Sequence, residues 1–325
     1  MIISRTPMRV SFCGGGSDLP SFYKKYEGCV LSCAIKKYVY IAIHPSFFKK
    51  SITLKYSKTE EVDSFSDIEH KYFRVMLQDY NVKGVEITSM ADIPAGTGLG
   101  SSSAFTVGVL RALKEYTGKR CSKYALASEA CDVEINRAGS PIGKQDQFAS
   151  AFGGINLITF HKDDKVSIEP IVMPKDSEEK LEKNILLFYT GLKHDANAIL
   201  AKQNKNLMKN KNTSVEQLKL CELAKDLKNH LEAGDIDYLG IVLRKSWEIK
   251  KSLSEGITNS IIEDIYERGI KAGASGGKLL GAGGGGFMLF YVKDGKQDSV
   301  RKALSDLKEI SFEIDYEGSD LIYGI

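Results

Sequence analysis

The chain has 325 residues, of which 42% are hydrophobic and 27% are charged, a composition typical of a globular protein. Its 45 basic and 42 acidic side chains leave a net charge of +3, which argues against a large nucleic-acid or membrane-surface footprint. No stretch is apolar and long enough to span a bilayer, and the first residues lack the apolar run of a signal peptide. The six cysteines form no C-x-x-C pair and no zinc spacing with the five histidines. We therefore expect a reduced, cytoplasmic protein.

Strand-like and helix-like segments alternate along the chain, which predicts an α+β protein. The length favours two domains, and we place them at residues 1–180 and 181–325. The boundary follows from the segment 173–183, whose proline and many charges are typical of a linker.

The first glycine segment, residues 5–20, reads RTPMRVSFCGGGSDLP. Its three consecutive glycines, between a strand-like run and a Ser-Asp pair, indicate close approach of the backbone to a ligand. Asp18 can accept hydrogen bonds from sugar hydroxyls, and Arg9 can neutralise phosphate charge. A glycine turn with Asp18 as the cap of a following helix is equally compatible with these residues.

The second glycine segment, residues 94–104, reads PAGTGLGSSSA and lies between the strand-like residues 85–88 and an apolar-periodic, helix-like stretch. Glycines let backbone amides approach an anion, and the first turn of a helix offers unpaired N–H groups and the positive end of its dipole. The segment therefore suits phosphate. A Gly/Ser turn capped by serine explains it as well, and no lysine follows in the order that a P-loop requires.

Two carboxylates flank a Gly-Ser-Pro break in residues 129–148. Glu134 lies on a predicted helix before the break, and Asp146 begins a short helix after it, so the two can meet in a cleft. One carboxylate can hold a divalent cation while the other accepts a proton. Exposed helical carboxylates are common, so the spacing alone is a weak signal.

Beyond the proposed boundary the pattern predicts a strand at 185–189 and a long polar helical region from about 197 to 255. An apolar strand at 287–292, a helix near 300–308 and a terminal strand near 310–315 follow. The third glycine segment, AGASGGKLLGAGGGG at residues 272–286, contains a formal G-x-G-x-x-G. It runs straight into a strand instead of opening a helix, which excludes a dinucleotide fingerprint.

In this order the three glycine segments resemble the signature motifs of the GHMP small-molecule kinases, the superfamily of galactokinase, homoserine kinase and mevalonate kinase. The Pro-x-Arg-Val and Gly-Gly-Gly-Ser-Asp runs match the first motif, Pro-x-x-x-Gly-Leu-Gly-Ser-Ser-Ser-Ala matches the second, and the final glycine run looks like the third. The likeness spans nearly the whole chain. It implies a ribosomal S5 domain 2-like N-terminal domain, a ferredoxin-like C-terminal domain and an active site between them.

The resemblance also implies a role for each matching residue. The ATP phosphates would bind at Pro94, Gly96, Gly98, Leu99, Gly100, Ser101, Ser102 and Ser103. Mg²⁺ would be held by Ser102 and Glu134, with Asp146 as the catalytic aspartate and Arg9 beside it. The substrate would contact Gly15, Gly16, Ser17, Asp18, Asp146, Gly283 and Gly284.

Within the superfamily, the runs RVSFCGGGSDLP at 9–20, QDQ at 145–147, YTG at 189–191 and GGKLLG at 276–281 resemble those of bacterial D-glycero-D-manno-heptose 7-phosphate kinases and of the kinase domain of bifunctional fucokinases. The likeness to the heptose kinases implies phosphorylation of the anomeric C1 hydroxyl of a sugar phosphate. An L-fucose or other hexose 1-kinase is the alternative enzyme, and a sugar or nucleotide sensor without catalysis is the alternative of another class. The Gly-Glu-His pattern of galactokinases is absent, which disfavours galactose. A substrate phosphate needs a cationic subsite, for which Arg137, Lys144, Lys193 and Arg244 are candidates that spacing does not separate. A small-molecule partner, no nucleic acid and no membrane are expected, and a homodimer stays open.

Overall fold

The computed structural model describes residues 1–47, 51–192, 196–209 and 211–324. The strands are β1 (Ile2–Cys13), β2 (Gly28–Pro45), β3 (Ile52–Lys55), β4 (Thr59–Val62), β5 (Val85–Ala91), β6 (Ile155–Phe160), β7 (Val166–Pro170), β8 (Ile185–Tyr189), β9 (Gly276–Leu279), β10 (Phe287–Tyr291), β11 (Lys308–Ile310) and β12 (Asp320–Gly324). The α-helices are α1 (Pro20–Tyr26), α2 (Lys71–Tyr80), α3 (Ser101–Tyr116), α4 (Lys123–Cys131), α5 (Gln145–Phe152), α6 (Lys175–Asn184), α7 (Ala196–Lys209), α8 (Lys211–Glu232), α9 (Tyr238–Leu253), α10 (Ser260–Lys271) and α11 (Gln297–Ala303).

The first sheet is built around the long strand β2. Its strand order is β12-β1-β2-β5-β3-β4, and β6 pairs with both β2 and β7. The early residues of β2 pair with β6 and its later residues pair with β5, while β1 runs antiparallel beside both parts. Val39, Ile41 and Ile43 are buried while the residues between them are half-buried, because successive strand side chains alternate between faces. Helix α3 packs against β1 and β2.

The second sheet has the order β11-β8-β10-β9, with every neighbouring pair antiparallel. Numbered within this sheet, the order is fourth, first, third, second, which is the arrangement of a split β-α-β unit. The predicted ferredoxin-like C-terminal domain is therefore confirmed, as is the α+β class.

Helices α8 and α9 join the two sheets. Helix α8 packs on β1 and β2 of the first sheet, and α9 contacts β1 as well as β9 and β10 of the second. Trp247 of α9 is fully buried within a hydrophobic core that continues from one sheet to the other. The last strand β12 also returns to the first sheet, where it pairs with β1.

Two local predictions are wrong, and the bounds of a third differ. The linker expected at 173–183 is mostly helix α6, because Pro174 precedes it, acidic residues fill its first turn and Leu181 is buried beneath it. The helix near 300–308 is α11, which ends at Ala303, and the strand near 310–315 is replaced by β11 and β12. The helical region from 197 to 255 is present as α7, α8 and α9.

Within the described residues, no helix has the length and apolar character to cross a bilayer.

Candidate active site

Arg9 on β1 connects an aspartate to the second glycine segment. Its Nε and Nη2 donate to Oδ1 and Oδ2 of Asp146, both at 2.8 Å, in a bidentate pair. Its Nη1 donates to the carbonyl of Gly98 at 2.8 Å, and its backbone N–H donates to Leu99 O. Arg9 is buried, whereas the Asp146 side chain is 24% exposed. The arrangement holds one accessible carboxylate, in the first turn of α5, beside the glycines.

The second glycine segment is shaped to expose backbone amides. Gly96, Gly98 and Gly100 all have positive φ, and α3 begins directly after Gly100 without any side-chain cap. The first amides of α3 therefore lack side-chain acceptors and point their N–H groups at the open end of the helix. The serine-capped turn is not what the structure shows, so an anion site is the better explanation.

Asp18 accepts hydrogen bonds from Gly16 and Gln145 and does not cap α1, the helix that follows it. Its Oδ1 accepts from the Gly16 N–H at 3.0 Å and from Gln145 Nε2 at 3.1 Å, and its Oδ2 accepts from the Gln145 N–H at 3.1 Å. The residue that precedes α1 at its N-terminus is Leu19. Burial, and secondarily the charge of Asp146, raise the pKa of the Asp18 carboxyl above its ordinary value.

Glu134 lies inside a π-helical segment, Asp132–Arg137, that continues α4. Its side chain is fully buried and accepts hydrogen bonds from Thr106 Oγ1 at 2.7 Å, from Ser103 Oγ at 2.8 Å and from Gln147 Nε2. Burial raises the pKa of the Glu134 carboxyl to about 7, although the three hydrogen bonds oppose that shift. A carboxylate with so little solvent favours a nearby cation.

The donor types here fit Mg²⁺. Among the described residues there is no cluster of three or more His, Cys, Asp or Glu side chains that could hold a metal. Mg²⁺ is commonly bound through one or two carboxylates, with phosphates and water filling its other positions. The buried carboxylate of Glu134 and the exposed hydroxyl of Ser102, one residue before its partner Ser103, supply that chemistry next to the phosphate-type amides.

Arg9, Asp18, Asp146 and most glycines and serines of the first two glycine segments line one cleft between the two sheets. The first-sheet wall carries Arg9, Asp146, Asp18 and the glycines of the first segment. The lining also includes the following cleft residues: Gly96, Gly98, Gly100, Ser101, Ser102, Ser103, Gly143, Gln145, Gly281 and Ala282. The opposite wall comes from α7, α8, α9 and β9, through Gln203, Leu220, Ser246, Lys250 and Lys278.

Some residues expected at the site do not line this cleft. Ser17 is fully buried and its Oγ donates to Cys29 O. Gly283 and Gly284 face Ile257: the Gly284 N–H donates to Ile257 O, and a Cβ on Gly283 would lie 2.7 Å from Ile257 Cα. Pro94, Leu99 and the fully buried Glu134 are likewise absent from the lining. None of these six residues reaches into the cleft.

Sequence reasoning missed the far wall of the cleft. Lys278 belongs to the third glycine segment, where the sequence indicates only a glycine turn. Lys250 precedes another lysine on a polar helix, a pattern typical of a solvated face. No spacing signal links these lysines to Arg9, because α9 and β9 reach the cleft only through the packing of the two sheets.

Comparison with known proteins identifies the family. The GHMP kinases N terminal domain matches residues 68–154, and the GHMP kinases C terminal domain matches residues 223–309. The chain therefore belongs to the GHMP kinases, phosphotransferases that act on a hydroxyl group, and their phosphate donor is ATP.

Individual relatives narrow the likeness. The chain is 31% identical over 316 residues, 93% of each protein, to the D-glycero-alpha-D-manno-heptose 7-phosphate kinase of Campylobacter jejuni. It is 27% identical to the galactokinase of Thermococcus kodakarensis, over 93% of this chain and 92% of that protein. A crystal structure of a D-glycero-D-manno-heptose 1-phosphate kinase from Bacteroides thetaiotaomicron superposes over 100% of both chains, with a TM-score of 0.82 and 26% identity.

Proposed function

We propose that this protein transfers the γ-phosphoryl group of ATP to the anomeric C1 hydroxyl of D-glycero-D-manno-heptose 7-phosphate. The product is the 1,7-bisphosphate, an intermediate toward nucleotide-activated heptose. The observation that carries the chemistry is the bidentate Arg9–Asp146 pair beside the second glycine segment. The substrate class is supported by the likeness to the Campylobacter jejuni protein, whose name specifies that sugar phosphate. All six cysteines are free, which supports a cytoplasmic location.

In the proposed reaction the anomeric oxygen attacks the γ-phosphorus, the bond from that phosphorus to the bridging oxygen breaks, and ADP leaves. The proton of the hydroxyl passes to the Asp146 carboxylate. An anomeric hydroxyl is more acidic than an ordinary alcohol because the ring oxygen withdraws charge, so a modest base suffices. Arg9 holds the carboxylate in place and stabilises negative charge on the transferring group.

The amides of Gly96 to Ser103 are proposed to cradle the ATP phosphates, with the glycines admitting close approach and the N-terminus of α3 attracting the anion. Ser102 and Glu134 would hold Mg²⁺, which when bound neutralises phosphate charge. The buried Glu134 supports this assignment, because a cation relieves the cost of its ionisation.

The sugar is proposed to lie against Gly15, Gly16 and Asp18 on the first-sheet wall. The Asp18 carboxylate accepts hydrogen bonds already and has lone pairs left for sugar hydroxyls. Gln145, which donates to Asp18, has a buried Oε1 atom that accepts no hydrogen bond from any described residue. A sugar hydroxyl that donates to this oxygen would satisfy it.

The test is a coupled ADP-release assay with ATP, Mg²⁺ and a panel of acceptors. We expect heptose 7-phosphate to give the highest kcat/KM, above heptose 1-phosphate, fucose, galactose and mannose. The heptose 1-phosphate arm is included because the superposed crystal structure carries that name. A preference for fucose or galactose would replace the proposed substrate, and no ADP release with any acceptor would support a sensor.

A further inference from the structure

Two lysines on the far wall of the cleft have no part in the function proposed so far. Lys278 lies on β9 and is 4% exposed, and Lys250 lies on the last turns of α9. Both line the cleft that contains Arg9 and Asp146. Lysines are rarely buried unless they are paired, so the buried Lys278 needs an explanation; Lys250 is half-buried.

The hydrogen bonds of the two ammonium groups are incomplete. Lys278 Nζ donates to the carbonyls of Ser11 at 3.0 Å and Phe12 at 3.2 Å. Lys250 Nζ donates to the carbonyls of Leu279 and Gly281, at 2.9 and 2.6 Å. An ammonium has three N–H donors, so each lysine keeps one in reserve. Among the described residues neither has a carboxylate within ion-pair distance.

The cleft lining carries three cationic side chains, Arg9, Lys250 and Lys278, against the two carboxylates of Asp18 and Asp146. Burial, and then the charges of Lys278 and Arg9, lower the pKa of Lys250 well below its ordinary value. Burial likewise lowers the pKa of Lys278 to about 8, with Arg9 adding to that shift. The carboxylate of Asp146 is occupied by Arg9. A bound dianion would therefore remove a penalty that the protein alone leaves uncompensated.

The position of Lys278 separates it from the ATP phosphates. Its carbonyl partners follow Arg9 on β1 in the direction of the Gly14–Gly16 turn. Since a strand advances about 3.3 Å per residue, the Ser11 carbonyl lies roughly 7 Å beyond Arg9, on the side of Asp18. Ser11 is buried and lines the cleft, and its Oγ has no hydrogen-bond partner within the described structure. The Ser11 hydroxyl and the reserve donor of Lys278 thus lie on the sugar side, while Lys250 lies beside the 279–281 turn of the same lining.

The cationic residues that the sequence suggested for a substrate phosphate are placed elsewhere. Arg137 pairs with Asp79, and Lys144 pairs with Asp164; neither lines the cleft. Arg244 is exposed and also absent from the lining, and Lys193 lies outside the described residues.

We propose that Lys278, with the hydroxyl of Ser11, binds the phosphate that the sugar substrate already carries, and that Lys250 adds its charge from the same lining. This subsite makes the enzyme prefer a sugar phosphate to the free sugar, because an uncharged substrate leaves both ammonium groups uncompensated. The inference rests on the proposed function for the identity of the sugar, but the anion subsite itself is a property of these three residues.

The first experiment measures kcat and KM for heptose 7-phosphate, free heptose and ATP in Lys278→Met and Lys250→Met. We expect KM for heptose 7-phosphate to rise about 30-fold in Lys278→Met, the size of losing one hydrogen bond to a charged group. In Lys278→Met, KM for ATP and kcat/KM for free heptose should change less than 3-fold, whereas Lys250→Met also releases the 279–281 turn and is judged by its KM for heptose 7-phosphate. Lys245→Met, on the exposed face of α9, is the matched control and should leave all values unchanged. An equal loss with both sugars, or a rise confined to KM for ATP, would overturn the assignment.

The second experiment does not depend on the sugar. Inorganic phosphate is titrated calorimetrically into protein saturated with a non-hydrolysable ATP analogue, which occupies the glycine segments. We expect phosphate to bind wild type and Lys278→Arg, and to bind Lys278→Met at least 10-fold more weakly. Equal binding by all three variants would refute the subsite even if heptose 7-phosphate is the substrate. Loss only in Lys278→Met would support it even if another sugar phosphate is. Should Lys278→Met fail to fold, Ser11→Ala, which removes a hydroxyl that makes no hydrogen bond within the described structure, decides by the same criteria.

Discussion

Asp146 is the residue on which the proposed chemistry depends. Both its carboxylate oxygens accept from Arg9, and its side chain remains partly open to the cleft. Asp146→Asn keeps the shape but removes the charge, so we expect kcat to fall at least ~100-fold, as for a lost positioned base. The measurement is steady-state ADP release. Asp226→Asn, on the exposed side of α8, is the control and should retain full activity; comparable turnover in both variants would remove Asp146 from the mechanism.

Glu134 makes stability depend on pH in a direction that can be worked out. Burial raises its folded-state pKa to about 7 from an ordinary value near 4.5. The folded protein therefore holds this proton more tightly than the unfolded chain, so stability decreases as pH rises from about 4.5 to 7 and then levels off.

Glu134→Gln removes that titration. Relative to the variant, wild type should lose up to about 3 kcal/mol of unfolding free energy between pH 5 and pH 8, since one pKa unit corresponds to about 1.4 kcal/mol. Urea unfolding at both pH values, without metal or nucleotide, measures the difference. Glu222→Gln, on the exposed surface of α8, should show no such change. A difference that grows in favour of wild type at high pH would contradict the burial argument.

The same substitution tests the metal assignment. If Glu134 helps to hold Mg²⁺, Glu134→Gln should raise the Mg²⁺ concentration for half-maximal activity by roughly 10- to 100-fold, the range for losing a group that supports a metal site. The readout is an Mg²⁺ titration at saturating ATP and sugar. An unchanged titration midpoint would exclude metal binding at this position.

The sequence predicts the residues of the first-sheet wall of the cleft but not those of the opposite wall. Arg9 and Asp18 stand in the first glycine segment and Asp146 follows a Gly-Ser-Pro break, where composition draws attention to them. Lys250 and Lys278 reach the same cleft only because α9 and β9 fold against β1. Their chemistry depends on burial, which no local pattern encodes. The hydrogen bonds of Glu134 to α3 likewise depend on tertiary packing.

Among the elements, the glycine segments are fitted to one another. Gly281 of the third segment lies against Gly98 of the second, and a Cβ at Gly281 would be 2.5 Å from Gly98 Cα. The backbone of the Leu279 to Gly281 turn is also held by Lys250. The turn at 279–281 in the third glycine segment therefore packs directly against the second glycine segment.

Gly281→Ala should push these two segments apart. Gly118 offers a matched control: its φ of +69° is close to the +71° of Gly281, but nothing lies within 4 Å of its Cβ position. Gly118→Ala should cost about 1 kcal/mol for the left-handed backbone alone and leave KM for ATP unchanged. Gly281→Ala should cost more and raise KM for ATP, measured by urea unfolding and steady-state kinetics. Equal effects of the two substitutions would show that the contact with Gly98 is unimportant.

Some elements could be predicted and others could not. The strand, glycine turn and helix order around residues 85–104 follows from local periodicity and is confirmed. Charges and a proline dominate the segment 173–183, which is a pattern typical of a linker. The buried Leu181 and a favourable first turn nevertheless suffice to form helix α6. The π-helical turn at Glu134 has no sequence signal that an ordinary helix lacks.

At the scale of the molecule, the two sheets share their packing. Helix α9 contacts both sheets, α8 packs on the first sheet and against α9, and β12 returns to pair with β1. Hydrophobic alternation reveals each strand but not its neighbours, so the return of β12 could not be predicted from the sequence. The proposed boundary at residue 180 falls within α6. A cut there would remove the helices that cover the first sheet.

The shared packing predicts cooperative unfolding. Trp247, the sole tryptophan, is buried in α9 where the helix joins the sheets. Its fluorescence and the far-UV circular dichroism of the whole chain should report the same urea midpoint, whereas residues 1–180 alone should show no cooperative transition. Separate midpoints in the full chain, or a sharp transition in the fragment, would show that the first sheet is stable by itself.

The central proposal is that this protein transfers a phosphoryl group from ATP to the anomeric oxygen of a heptose 7-phosphate. The most direct measurement is phosphorus NMR of the reaction of ATP, Mg²⁺ and heptose 7-phosphate with the wild-type protein. We predict ADP and, in equal amount, a new phosphomonoester resonance coupled to the anomeric proton, with the original 7-phosphate retained. A new phosphate on any other carbon, or no turnover of this sugar, would contradict the account.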